Sequence, residues 1–219
     1  MSFDPAWEAG YVAANIGTGQ NGILYGMLDH YCQGRQENVL ELGCGLGFNI
    51  RYWLERNADY RAIEGSATAV NAVHKMWPVL KERVVCADFT AGIPFTMPFD
   101  VIFDRAAVTH NNHSDIRRTL AHVYEGLKPG GLFVSCDWFS TSHHELEFGT
   151  HIDDEFTRTG YVDGVFRNIG RVHFSSRDEI CELFSDFQEV MIMERIKRQE
   201  LAGRSFVWAV WDLVFRKPK

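Results

Sequence analysis

Three glycines at alternate positions, Gly43, Gly45 and Gly47, directly follow an apolar stretch at 38–42. At a strand end, glycines let the backbone turn tightly and let a ligand lie against it without meeting a Cβ. The helix expected next offers unpaired N–H groups at its start. The spacing is G-x-G-x-G and not the G-x-G-x-x-G of a dinucleotide pyrophosphate site. Glu41, just ahead of the glycines, fits poorly beside a pyrophosphate and suits a ligand with a cationic group. Glu64, Asp88, Asp104 and Asp137 each follow another short apolar run.

A second set of residues has the chemistry of proton transfer. His110 and His113 follow Asp104-Arg105, and His143 and His144 follow the run at 132–136. An imidazole with a pKa near 6.5 is matched to accepting a proton at neutral pH. His110, His143 and Asp104 are the candidate bases. Arg105 and Arg158, with Arg167, are candidates to hold an anionic group; His144 and Tyr161 are further candidates for contact with a second substrate. His143, His144, Glu145, His151, Asp153 and Asp154 match no standard ligand spacing, so no metal is expected. Cys44 is read as a small packing residue.

These groups need a scaffold that brings strand ends together. Apolar runs at 38–42, 60–63, 83–87, 99–103 and 132–136 alternate with helical patterns at 48–56, 66–77 and 115–127. Ile116, Leu120, Val123 and Leu127 have helical spacing. Such β-α-β-α alternation implies a parallel sheet with helices on both faces. Right-handed crossovers put every strand C-terminus on one rim, where ligands bind. Residues 137–174 break the pattern and read as a long, aromatic-rich cap over that rim. A last helix at 176–184 carries an S-x-x-E capping box, Ser176 with Glu179. Runs at 190–195 and 205–215 are the two final strands. Trp7, Tyr11 and Asn15 share one face of an N-terminal helix, and residues 17–22 read as a glycine-rich hinge.

Glu41-Leu42-Gly43-Cys44-Gly45-Leu46-Gly47 resembles motif I of the class I S-adenosylmethionine (SAM) methyltransferases. Glu64 with Gly65, Asp88-Phe89, the run 99–104 and the turn 127–132 resemble the family's later motifs in order, across roughly residues 36–216. The resemblance implies SAM as cofactor. It implies that Glu41 and the glycines face the cofactor, that Glu64 takes the ribose hydroxyls, and that Asp88-Phe89 hold the adenine. Asp104 lies beside the cofactor in this reading, and Trp7 and Tyr11 belong to a helix that closes over it. It also implies a Rossmann-like α/β sheet of seven strands in the order 3-2-1-4-5-7-6, with strand 7 antiparallel. Segments 104–107, 137–141 and 157–160 are similar to methyltransferases of surface-glycan or sugar-nucleotide pathways.

The expected organisation is a single domain: a helical lid at 1–35, a cofactor core at 36–136, a cap at 137–175, and a helix with a terminal hairpin at 176–219. The 22 basic and 29 acidic residues leave a net charge of −7, which lacks the footprint of a general nucleic-acid binder. No stretch is long and apolar enough to span a membrane, and the first ten residues do not read as a signal peptide. Five scattered cysteines without a C-x-x-C pair imply reduced thiols in a cytoplasm. The expected activity is methyl transfer to O or N of a small-molecule acceptor, such as a sugar or sugar nucleotide, by a monomer or homodimer. A SAM-binding regulatory protein without catalysis and an NAD(P)-dependent oxidoreductase are the alternatives.

Overall fold

In the computed structural model, described for residues 3–13, 19, 21–33, 38–201 and 204–219, the strand runs assemble into one seven-stranded sheet. Its strands are β1 (Asn38–Leu42), β2 (Asp59–Glu64), β3 (Val84–Cys86), β4 (Phe99–Arg105), β5 (Leu127–Phe139), β9 (Gln188–Leu201) and β10 (Arg204–Arg216). Strands β6 (His151–Ile152), β7 (Thr157–Thr159) and β8 (Val172–His173) form a separate antiparallel sheet. The large sheet runs β3-β2-β1-β4-β5-β10-β9, with β10 antiparallel to both neighbours. Counting its own strands only, this is the expected order 3-2-1-4-5-7-6.

Strand periodicity splits the core into two layers. Val39, Val101, Phe103 and Val134 pack on one face against Leu24 and Leu28 of α2 (Gly22–Tyr31), Trp53 of α3 (Ile50–Leu54) and Val73 of α4 (Ala67–Met76). Leu40, Ile102, Phe133 and Leu213 pack on the other against Ile116, Leu120 and Val123 of α5 (His113–Gly126) and Ile180 of α6 (Arg177–Leu183). An N-terminal helix, α1 (Pro5–Val12), crosses the rim.

Several boundaries differ from expectation. The helix expected over 48–56 spans only Ile50–Leu54; past its end, Asn57 takes a left-handed backbone (φ 56°) that keeps it from continuing. β5 begins at Leu127 instead of 132. There the Gly130 N–H donates to the Lys217 carbonyl and the Lys217 N–H to Gly131, so the tail beyond β10 extends the pairing. β9 and β10 also run longer than their apolar stretches, because each is the other's hydrogen-bonding partner almost to the hairpin tip. Within the cap, strands of two or three residues are too short to display a period. Asn15 and residues 17, 18 and 20 of the expected hinge lie outside the described residues.

Candidate active site

A cavity of about 290 Å³ opens along the C-terminal rim of β1, β2, β4 and β5. The glycine turn forms its floor. Gly43, Gly45 and Gly47 all have left-handed φ values (70°, 51° and 79°), a conformation any Cβ would strain. A Cβ on Gly45 would sit 2.6 Å from the Tyr11 hydroxyl, and one on Gly43 would sit 2.4 Å from the Ala107 Cβ. Glycine is therefore required both by the turn and by the closeness of its neighbours.

Two buried carboxylates stand at this floor. Glu64 accepts from the Gly45 N–H through Oε2 and from the Ser66 N–H through Oε1, both at 2.8 Å. Burial pushes its carboxyl up, while the backbone donors oppose the shift. Each oxygen keeps a second lone pair, so the pair can accept from two neighbouring hydroxyls. Glu41 accepts from the Tyr60 hydroxyl and from Asn49 Nδ2, and burial lifts its pKa to about 7. At the third strand end, Asp88 accepts from Thr90 and, at 3.1 Å, from the Phe3 N–H.

The roof is the N-terminal segment. Asp4 caps α1 through the Ala6 N–H, Pro5 opens the helix, and the outer oxygen of Asp4 accepts from the Arg171 N–H at 2.9 Å. Glu8 accepts from the hydroxyls of Ser66 and Thr68 at the start of α4. The Trp7 ring meets His110 edge-on, with centroids 4.7 Å apart. These contacts bind one short helix to both the core and the cap.

The far half of the cavity is apolar, walled by Phe139, Val165, Phe166, Ile169 and Trp208. Between the halves stands His110. Its Nδ1 lies 2.8 Å from the Arg171 carbonyl. A carbonyl only accepts, so Nδ1 carries the hydrogen and Nε2 keeps a lone pair. Burial lowers its pKa to about 4, and the ring is neutral at pH 7.

Arg105 also reaches the wall, but its guanidinium is engaged by Asp137 at 2.9 Å and by the Gly19 carbonyl. Asp137 in turn accepts from Arg195 and Asn21. Ala106 (φ 48°) and Asp137 (φ 61°) hold left-handed conformations at the ends of adjacent strands. Such strain persists only where the surroundings over-determine it.

The structure brings Trp7, Tyr11, Glu41, Gly43, Gly45, Glu64, Gly65, Asp88, Phe89, Arg105 and His110 to one cavity wall. It does not bring Gly47, Asp104, His143, His144, Arg158 or Tyr161 there. Gly47 turns against Ile50 and Val73, in the core behind the wall. Asp104 is fully buried beneath the wall, where it accepts from the N–H groups of Ala107 and Val108, and burial raises its pKa to about 6. His143 is enclosed by Phe139, Phe166, Phe174, Phe206 and Trp208, which lowers its pKa to about 4, and its Nδ1 accepts from the Glu145 N–H. His144 packs on Phe148 and Phe206. Arg158 donates to carbonyls of its own loop, and Tyr161 packs in the cap core. For His143, His144, Arg158 and Tyr161 the sequence offers no facing pattern, because the cap strands are so short.

Sequence reasoning missed Phe3, Asp4, Asn111, Phe139, Val165, Phe166, Ile169 and Trp208 as wall residues. Only Asp4 left a signal, the Asp-Pro start of a helix. The capping box also differs. The Ser176 hydroxyl accepts from the Glu179 N–H as expected, but the Glu179 carboxylate turns inward to two histidines.

Comparison with known proteins follows this geometry. Residues 39–131 match the methyltransferase domain family. The chain is similar to 24-methylenesterol C-methyltransferase 2 of Oryza sativa subsp. japonica, 28% identical over 153 residues that make up 66% of this chain and 39% of that protein. It therefore spans about two fifths of the curated relative's length. Its fold resembles a SAM-dependent methyltransferase from Clostridium acetobutylicum (TM-score 0.68, 12% identity, 96% of both chains). It also resembles the 1,6-didemethyltoxoflavin-N1-methyltransferase of Burkholderia thailandensis (0.62, 16%, 98% of this chain and 84% of that one) and a Micromonospora echinaspora amino pentose methyltransferase (0.60, 17%, 96% and 98%).

Proposed function

We propose that this chain, a class I SAM-dependent methyltransferase, moves a methyl group to an oxygen or nitrogen of a small acceptor with an apolar, ring-shaped body. The observation that carries the reading is the division of one cavity into a glycine-and-carboxylate half and an aromatic half, with neutral His110 between them.

The cofactor half fits SAM. Glu64 offers two oxygens for a cis-diol, Asp88 and Phe89 offer a carboxylate and a ring for adenine, and the Gly43–Gly45 backbone leaves room for the chain of the cofactor. Glu41, four residues from the turn's centre, supplies negative charge where a cation is to be held. When bound, SAM supplies an electrophilic methyl carbon. The N-terminal helix closes over that half and excludes water through Asp4, Trp7 and Glu8. Alignment of the acceptor is the largest part of the catalysis to be done. His110 Nε2 takes the proton that an attacking hydroxyl or amine sheds, and its Nδ1–H bond to Arg171 fixes the tautomer that makes this possible.

The acceptor class follows from the aromatic half. Arg105 is the one guanidinium on the described wall, and it is already paired with Asp137. That leaves no free cation for the diphosphate of a sugar nucleotide. Trp208, Phe139 and Phe166 suit a flat or apolar ring. The Burkholderia relative in fold, an N1-methyltransferase, has 1,6-didemethyltoxoflavin and S-adenosylhomocysteine bound. The lid, core, cap and hairpin division of the chain belongs to the same reading. No helix among the described residues is long and apolar enough to cross a membrane.

The test is release of S-adenosylhomocysteine from SAM across a panel of phenols, aromatic amines, sterols and nucleotide sugars, with product masses. Turnover confined to ring hydroxyls or amines supports the reading. Turnover of nucleotide sugars alone, or of a carbon acceptor, overturns its acceptor class.

A further inference from the structure

We propose that His113, His173 and Glu179 form a site for a divalent transition-metal ion of the zinc type, which ties the cap to the core. The site is independent of the methyl-transfer reading.

Three separate elements meet there: the first residue of α5, the end of β8 and the first turn of α6. His113 Nδ1 and His173 Nε2 converge on the same carboxylate oxygen, Glu179 Oε1, at 2.8 and 3.0 Å. The three ligand atoms lie within 4.8 Å of one another. Imidazole nitrogen with a carboxylate oxygen is the donor set that zinc takes, at about 2.0–2.2 Å per bond. Ligand atoms bound at tetrahedral angles then sit about 3.3 Å apart, so the two histidine–carboxylate distances need to open by only a few tenths of an ångström, and the two ring nitrogens already lie within 4.8 Å of each other.

A second observation points to an ion and not to a closed hydrogen-bond triad. Glu179 is 4% exposed, yet its Oε2 has no partner among the described residues. Both imidazoles crowd onto one oxygen while its twin is buried without a bond. A buried acceptor without a partner is destabilising, and a cation in the gap would take it up.

The surrounding groups are placed as metal-site neighbours are. The far ring nitrogen of His173, Nδ1, lies 2.8 Å from the Thr157 hydroxyl. With Nε2 turned to a metal, Nδ1–H donates to that hydroxyl and fixes the ring, as second-layer partners of metal-bound histidines do. Asp154 accepts from the His113 N–H and from the Phe156 and Thr157 N–H groups, bracing both sides. His113 is part-exposed, which provides an entry path. Another convergence, Cys136, Asp137 and Asp212, carries no such proposal, because the Arg195 guanidinium already occupies it.

The experiment uses the full chain, stripped with a chelator and titrated with Co²⁺ and then Zn²⁺. The expected result is one ion per chain, a cobalt visible spectrum without a thiolate charge-transfer band, and a rise in melting temperature with Zn²⁺. His113→Ala, at a part-exposed position, should weaken the affinity on the order of 100-fold or more, and Thr157→Val by about 10-fold to 100-fold. Failure to take up either ion, a thiolate band, or wild-type affinity in folded His113→Ala would each overturn the site.

Discussion

The Gly45 N–H donates to Glu64 Oε2 at 2.8 Å across 19 residues of sequence. That bond ties the glycine turn after β1 to the carboxylate at the end of β2. It uses one lone pair of an oxygen whose other lone pair is available on the cavity side. The carboxylate is thus pre-positioned by the backbone before any ligand arrives.

Glu64→Ala should weaken SAM binding by about 1.5–3 kcal/mol, the worth of hydrogen bonds to a charged group. Glu64→Gln keeps one acceptor and should lose less. Calorimetric titration with SAM and S-adenosylhomocysteine reads both, and unchanged affinity in Glu64→Ala removes the diol assignment.

Glu41 and Asp104 set a pH dependence with opposite signs for stability and binding. Burial raises their folded pKa values to about 7 and about 6, above the ~4 of an unfolded carboxyl. Their contribution to stability is fully present below that unfolded value and is lost as pH rises through the folded ones. The melting temperature of unliganded protein should therefore fall between pH 5 and pH 8, and less so in Glu41→Gln. A cationic ligand favours the ionised carboxylate, so SAM affinity should climb as pH passes about 7. A flat affinity profile would separate Glu41 from the cation.

His110→Ala should lower kcat by about 10²-fold or more while leaving SAM affinity within a few-fold. With its pKa held at about 4, His110 should contribute no acid limb to the wild-type kcat profile above pH 5.5. An acid limb near 6.5 that vanishes in His110→Ala would contradict the buried, neutral ring.

Asp4→Ala removes a helix cap, at a cost of about 1 kcal/mol, and also the bond to the Arg171 N–H. It should raise the dissociation rate of S-adenosylhomocysteine in stopped-flow measurements. Trp208→Ala alters the far wall, so it should raise the acceptor KM and leave cofactor affinity unchanged. If Trp208→Ala weakens the cofactor instead, the two halves of the cavity have been assigned in the wrong order.

The glycine-and-carboxylate half of the cavity is legible in the sequence, because its signals are local. A glycine run after a strand, a carboxylate after the next strand and periodic apolar helices each report a constraint met within a few residues; handed connections put the strand ends on one rim, and the strand order came from the resemblance to a known family. The acceptor half is a different kind of object. His143 and His110 look alike in sequence, since both follow a strand and both sit among polar residues. Only the packing of Phe139, Phe166 and Trp208 around one ring, and of Trp7 beside the other, enclosed the first in the cap core and left the second on the wall. Glu179 reads as a capping residue because its spacing from Ser176 is local. Its carboxylate instead meets His113, 66 residues earlier in the chain. Local spacing decides turns, caps and strand ends; which distant side chain fills a buried position is decided by the space and unpaired polar groups the folded layers leave, and neither exists until they close.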